Sequence, residues 1–230
     1  MFSSKSILST VVLAASAFAA VVPSCSTVKA LMKLPAGQTG LAAQTGAPSF
    51  ALLGVGVQNY TCTDAGTYAS AGAVAALFDI SCLSGKPAFD TIQKTAYTIW
   101  KNIPDGPLSS RCQNGITTPL GVVASGSHFF TKTPAGTNAP VWDMRAIGPK
   151  NVKGKAGAYV VGAKVAGIPS PDGAKNVDFL ELKAVEGALA TAIYRTDTQG
   201  GPAPASCTPG SAPISVKYTS KYFLYGSTVA

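Results

Sequence analysis

Apolar residues recur at every second position through several short stretches of this chain, and at helical spacing through only one. Ala51 to Thr61 sets Leu53, Val55 and Val57 on one face and Gln58 and Tyr60 on the other, which predicts a strand. Ala73 to Ile80 alternates Val74, Ala76, Phe78 and Ile80 in the same way. Further short strands are expected at His128 to Thr131, Val141 to Met144 and Tyr159 to Val165. Phe179 to Leu182 and Leu189 to Arg195 are expected to pair across a turn at Val185-Glu186-Gly187. In the last strand, Ile214, Val216, Tyr218, Tyr222 and Leu224 share one parity, while Ser215, Lys217, Thr219 and Lys221 hold the other. That pattern predicts one dry face and one wet face. The single helix expected carries Phe89, Ile92, Ala96 and Ile99 on its apolar side, with Thr91, Gln93 and Lys94 in water. Asp90 near its start and Lys101 near its end suit the helix dipole, and Pro104 stops it.

Between these elements, residues 20–48 read as an extended, Pro-broken leading segment and residues 103–127 as a polar, turn-rich loop. Some eight short strands broken by glycine and proline predict an all-β or β-dominated single domain over residues 20–230. Its architecture is a sandwich or a barrel with one short helix, stabilised by disulfides. The first 19 residues differ in kind. Lys5 precedes an apolar run, and Ala17-Phe18-Ala19 supplies the small-x-small pattern of a signal-peptidase site, so residues 1–19 are expected to be a cleaved leader. The apolar run from Ile7 to Val22 is 16 residues, short of the roughly 20 that span a bilayer. No membrane span is expected, and the product is expected to be soluble and extracellular, or held at the cell surface non-covalently.

Composition adds the 24 Gly and 16 Pro of a turn-rich β protein and a formal net charge of +8. The basic residues are dispersed, with Lys150, Lys153 and Lys155 the densest group, so they read as a solvated surface and not as a nucleic-acid footprint. All five cysteines, Cys25, Cys62, Cys82, Cys112 and Cys207, lie beyond the leader. In an oxidising compartment they predict two disulfides and one cysteine left over. Cys112, in the polar insertion, is the candidate for the odd one, leaving Cys25, Cys62, Cys82 and Cys207 as disulfide candidates with their pairing open. Wide cysteine spacing and a lone histidine, His128, give no zinc-ligand pattern, so neither metal nor cofactor is expected. Asn59-Tyr60-Thr61 is a glycosylation sequon.

Several phrases together carry a family resemblance. They include Gly54-Val55-Gly56-Val57-Gln58-Asn59-Tyr60-Thr61-Cys62, Ala76-Leu77-Phe78-Asp79-Ile80, Val141-Trp142-Asp143 and Tyr194-Arg195-Thr196-Asp197-Thr198-Gln199-Gly200-Gly201-Pro202. Cys207 and Val216-Lys217-Tyr218-Thr219-Ser220-Lys221-Tyr222 complete the set. The chain resembles the secreted family catalogued as domain of unknown function 3455, found in fungi and some bacteria. That resemblance implies a fungal extracellular or cell-wall protein and no particular activity. His128-Phe129 and Trp142-Asp143 match the family's His-aromatic and Trp-Asp positions, whereas Phe179 stands where many members have Trp, and Cys112 falls outside the pattern. Members often carry the label malate dehydrogenase. A dinucleotide site needs G-x-G-x-x-G opening a helix. Gly54-Val55-Gly56-Val57-Gln58-Asn59 lacks the third glycine and runs into Tyr-Thr-Cys, so that activity is rejected.

Two functional classes follow. A glycosidase needs paired carboxylates, for which Asp79, Asp143, Asp178, Glu181 and Asp197 are the candidates near strand ends. His128 is a candidate general base, although a histidine flanked by Phe129 and Phe130 also suits a structural bond to a loop carbonyl. No Gly-x-Ser-x-Gly elbow is present, and no residue is assigned as catalytic. The preferred class is a non-catalytic module that binds cell-wall polysaccharide or a host surface; the alternative is an extracellular, hydrolase-like enzyme. For binding, the aromatic rings Trp142, Tyr194 and Tyr222 would meet sugar faces, with Gln58, Asp143 and Arg195 fixing hydroxyls. The binding candidates are thus Gln58, His128, Trp142, Asp143 and Arg195. Taken singly, each ring also suits core packing, and Arg195 suits a pair with Asp197 or a bond to the Gly-Gly loop.

Overall fold

The computed structural model describes residues 25–104, 110–149 and 151–230, so the expected leader lies outside the described residues. Eight strands follow one another round a closed barrel. They are β1 (Phe50–Cys62), β2 (Tyr68–Asp79), β3 (Val123–Lys132), β4 (Asn138–Asp143), β5 (Tyr159–Ile168), β6 (Phe179–Gly187), β7 (Ala192–Gly200) and β8 (Ile214–Tyr225). Each strand pairs antiparallel with the next, and β8 returns to β1 from Phe50↔Leu224 to Tyr60↔Ile214. Of the two architectures expected, the barrel is the one formed. Closure pairs every strand on both sides over at least part of its length.

Alternation along the strands sorts the core into an inside and an outside. Leu52, Leu77, Val160, Leu182, Ile193, Tyr222 and Leu224 fill the barrel. The opposite faces of β1, β2, β7 and β8 supply Ala51, Leu53, Val55, Phe78, Tyr194 and Phe223 to a second core on the outer wall. Helix α1 (Pro87–Lys101) covers that wall with Phe89, Ile92, Ala96 and Trp100, residues spaced along one helical face. Proline at the first turn, Asp90 beside it and Lys101 in the last turn define its limits. The Trp100 indole donates to the Gly56 carbonyl at 2.7 Å, fixing the helix to β1. At Gly56 a Cβ would lie 2.0 Å from the Val74 carbonyl oxygen, so no other residue fits this close approach of β1 and β2.

Three expectations need correction. Residues 103–127 hold a second helix, α2 (Ser110–Leu120), and the start of β3. Its Gly115, Thr117, Thr118 and Pro119 hide it from a propensity reading, and burial of Ile116 in the outer core supplies the compensating stabilisation. The second parity of β8 is not wet along its length. Ser215 is exposed, but Thr219 and Lys221 are buried under α1, where Thr219 Oγ1 donates to the Gln93 carbonyl at 2.7 Å. Burial draws the Lys221 pKa down and Asp197, 3.6 Å away, opposes the drop, while the ammonium lies over the Phe89 ring. Finally, β6 runs on through Gly187, so the β6–β7 connection falls after the expected turn, although Leu180↔Arg195 to Lys183↔Ala192 pair as foreseen.

Two disulfides bind the ends to the barrel. Cys25–Cys82 ties the leading segment to the short 3₁₀ turn Ser81–Leu83, and Cys62–Cys207 ties the end of β1 to the β7–β8 connection. These are the four cysteines expected to be bridged. The side chain of Cys112 lies outside the described residues.

Candidate functional site

Strand register brings four of the sequence-selected residues into the barrel. His128 pairs with Trp142 across β3–β4, and Arg195 pairs with Tyr222 across β7–β8. The His128 ring stacks on Trp142 at a centroid distance of 4.6 Å and 23°, with Tyr222 at 5.4 Å and Phe130 at 5.7 Å. The Tyr222 hydroxyl meets that of Tyr218 at 2.9 Å. Gln58, His128, Trp142, Arg195 and Tyr222 together line a half-enclosed cavity of about 40 Å³. A single water needs about 10–15 Å³ by the same measure.

The cavity is polar in an uneven way. His128 Nδ1–H donates to the Val141 carbonyl at 2.8 Å, which leaves Nε2 as the acceptor. Burial pulls the ring's pKa down to about 4, the Val141 bond opposes the drop, and the Arg195 charge adds to it. Histidine is therefore neutral at neutral pH. Burial raises the Tyr218 hydroxyl well above its ordinary value, and Tyr222 adds to the rise. Gln58 draws that value down by turning a donor towards the Tyr218 hydroxyl, although its Nε2 falls short of hydrogen-bond geometry there. The Trp142 indole Nε1–H is also without a partner. Each such buried donor costs about 1–3 kcal/mol when nothing accepts from it. Arg195 donates from Nε and Nη2 to one backbone oxygen, that of Asp178, at 3.1 and 2.9 Å. It pairs neither with Asp197 nor with the Gly-Gly loop, since Asp197 serves Lys221.

An opening in the wall adjoins this cavity. The β4–β5 ladder has three pairs, ending at Val141↔Val161. The next pair would set Pro140, which has no N–H, against Gly162, and there the strands part. Meanwhile β3–β4 pairing continues to Lys132↔Asn138 and β5–β6 pairing to Ile168↔Phe179. The result is a cleft of about 1020 Å³ whose lining includes Phe129, Val141, Tyr159 and Val161 from the outer face and Phe130, Gly162, Leu180 and Leu182 from the inner one. Phe130, Pro140, Leu180 and Leu182 line both cleft and cavity and form the partition between them. A Cβ at Gly162 would stand 3.1 Å from the Trp142 ring, closer than ordinary van der Waals contact.

The remaining selected residues lie elsewhere. Asp143 is on the outer wall, held by Arg145 through bonds of 2.6 to 3.1 Å. Burial pushes its carboxyl up, but the Arg145 bonds outweigh that and hold it below the usual carboxylate range. Arg145 lies over the Tyr159 ring at 4.5 Å, and the Tyr159 hydroxyl donates to Glu186, forming one rim of the cleft. Asn59 is half-buried on the outer wall, its Oδ1 accepting from the Ser215 hydroxyl at 2.8 Å. Of the other acids, Asp79 accepts from the Ser81 amide and Glu181 from the Ala42 amide. Gly54 and Gly56 lie within β1, paired on both sides, and no helix follows them.

A family model described as "Protein of unknown function (DUF3455)" matches residues 42–226. The chain belongs to that family. No curated protein and no solved structure matches it. The DUF3455 span includes all eight strands, both helices and every residue of the cavity. The cleft residues Tyr159, Leu180 and Arg145 were not singled out from the sequence, and Phe129 was noted there only as the neighbour of His128. Pro140 beside the Trp-Asp pair was the one local signal for a break in pairing. Among the described residues no group of three or more His, Cys, Asp or Glu is placed to hold a metal, and no helix is long and apolar enough to cross a membrane.

Proposed function

We propose that this protein is a secreted, non-catalytic binding protein that receives its ligand in the β4–β5 cleft. The observation that carries this reading is the cleft itself: an opening through the barrel wall, apolar along its sides, with buried and unpartnered donors behind it. Two disulfides support an extracellular setting, where such bonds persist. His128 supports binding over hydrolysis. Its ring is enclosed by Trp142, Phe130 and Tyr222, and its Nδ1 is tied to a carbonyl in place of an orienting carboxylate.

A cell-wall polysaccharide is the second reading. The rings Trp142, Tyr194 and Tyr222 are at most 1% exposed and present no face to solvent. The half-buried Phe129 and Tyr159 are the rings that the cleft offers to a sugar. Asn59, half-buried on the outer wall, is where we place a glycan.

The test uses the neutral fluorophore N-phenyl-1-naphthylamine, with pull-down on chitin, glucan and mannan run alongside. Saturable fluorescence enhancement is expected, and Ala163→Trp, which fills the cleft, should weaken it at least ten-fold without lowering the unfolding temperature. Equal binding by wild type and variant, or none by either, contradicts the cleft reading. Retention on one polysaccharide that Tyr159→Ala abolishes, with no fluorophore binding, would favour the second reading.

A further inference from the structure

We propose that the cavity behind the cleft is a carboxylate site, and that the ligand is a monocarboxylic acid with an apolar tail. The inference rests on the cleft reading and adds the ligand's chemical class. Its first support is the pair of donors, Gln58 Nε2 and Trp142 Nε1, each on a side chain more than nine-tenths buried, lining the cavity without an acceptor. The second is Arg195. The half-buried residue lines the same cavity, and its guanidinium has no ion pair among the described residues and donates to the neutral Asp178 carbonyl. Water would satisfy the two donors but would leave the half-buried Arg195 without a counter-charge among the described residues. An anion satisfies all three, and charge-assisted bonds from arginine to a carboxylate are the strong kind.

Size and surroundings narrow the anion. A cavity of about 40 Å³ has room for a small planar group of two oxygens and a carbon. The partition residues Phe130, Pro140, Leu180 and Leu182 are all apolar, so whatever joins the headgroup to the cleft passes between hydrocarbon walls. The tail then lies along Phe129 and Val161. Its transfer from water is the favourable apolar contribution to binding.

Isothermal titration of the full-length secreted protein with octanoate, octanol, octylamine and glucuronate tests this. Octanoate is expected to bind at least ten-fold tighter than octanol, with octylamine and glucuronate not binding. Arg195→Gln should bring octanoate to the level of octanol, Arg195→Lys should retain most of the preference, and Gln58→Leu should weaken octanoate several-fold. Thermal unfolding of each variant establishes that it is folded, and if Arg195→Gln does not fold, Gln58→Leu decides. Equal binding of octanoate and octanol overturns the carboxylate site and leaves the cleft standing. Binding of the neutral fluorophore without octanoate does the same. Binding of glucuronate without octanoate overturns the apolar tail.

Discussion

Burial sets the chemistry of His128. A ring whose pKa falls from 6.5 to about 4 takes up no proton in the folded state over a range where the unfolded chain does. The unfolded state therefore binds more protons below pH 6.5, and stability falls as the pH drops from there towards 4, by about 3 kcal/mol in total. Denaturant titrations at half-unit pH steps should show that slope, and His128→Phe should lack it above about pH 4.5, where carboxylate titration takes over. The site was partly legible at this scale. Gln58, His128, Trp142 and Arg195, chosen for their chemistry, share the cavity. Asp143 follows Trp142 on a strand, and a period of two sends neighbours to opposite faces. Its place on the outer wall was thus already implied by the alternation that identified the strand.

For the elements, the legible signal was period, and the hidden one was what covers a face. The alternation of β8 is real, yet its Thr219 and Lys221 face α1 and not water. A wet-looking strand face and the polar residue Gln93 on a helix were two halves of one interface, joined by contacts far apart in sequence. The helix α2 was illegible for a different reason: its residues are poor helix formers, and its stabilisation comes from tertiary burial of Ile116. Trp100 carries the attachment of α1 to β1 through its bond to the Gly56 carbonyl. Trp100→Phe keeps most of the apolar contact and removes the donor, so urea unfolding should show a loss of about 1–3 kcal/mol. Trp100→Ala, which also opens a cavity, should lose about 3–5 kcal/mol.

As a whole, the molecule is a barrel closed between β1 and β8 and weakest between β4 and β5. Strand number and turn composition made a barrel or sandwich legible, but the choice between them depends on whether β8 meets β1, a long-range pairing that no local pattern encodes. The cleft was hidden for the same reason, since it arises where a pairing fails. Cys62–Cys207 braces the closed seam, joining residues 145 apart in sequence. Replacing both cysteines by alanine should cost about 2–5 kcal/mol in denaturant unfolding, while leaving the packing of His128 on Trp142 in place.

Entry of a carboxylate into the cavity behind the cleft is the central proposal. Nitrogen-15 NMR of the two tryptophan indoles during octanoate titration tests that most directly. Trp142 Nε1–H is without an acceptor and Trp100 Nε1–H is already bonded to Gly56. The account predicts a saturable downfield shift of the Trp142 indole proton, a still Trp100 signal, and loss of the shift in Arg195→Gln. A Trp142 signal unmoved at saturating octanoate, or moving equally with octanol, would contradict it.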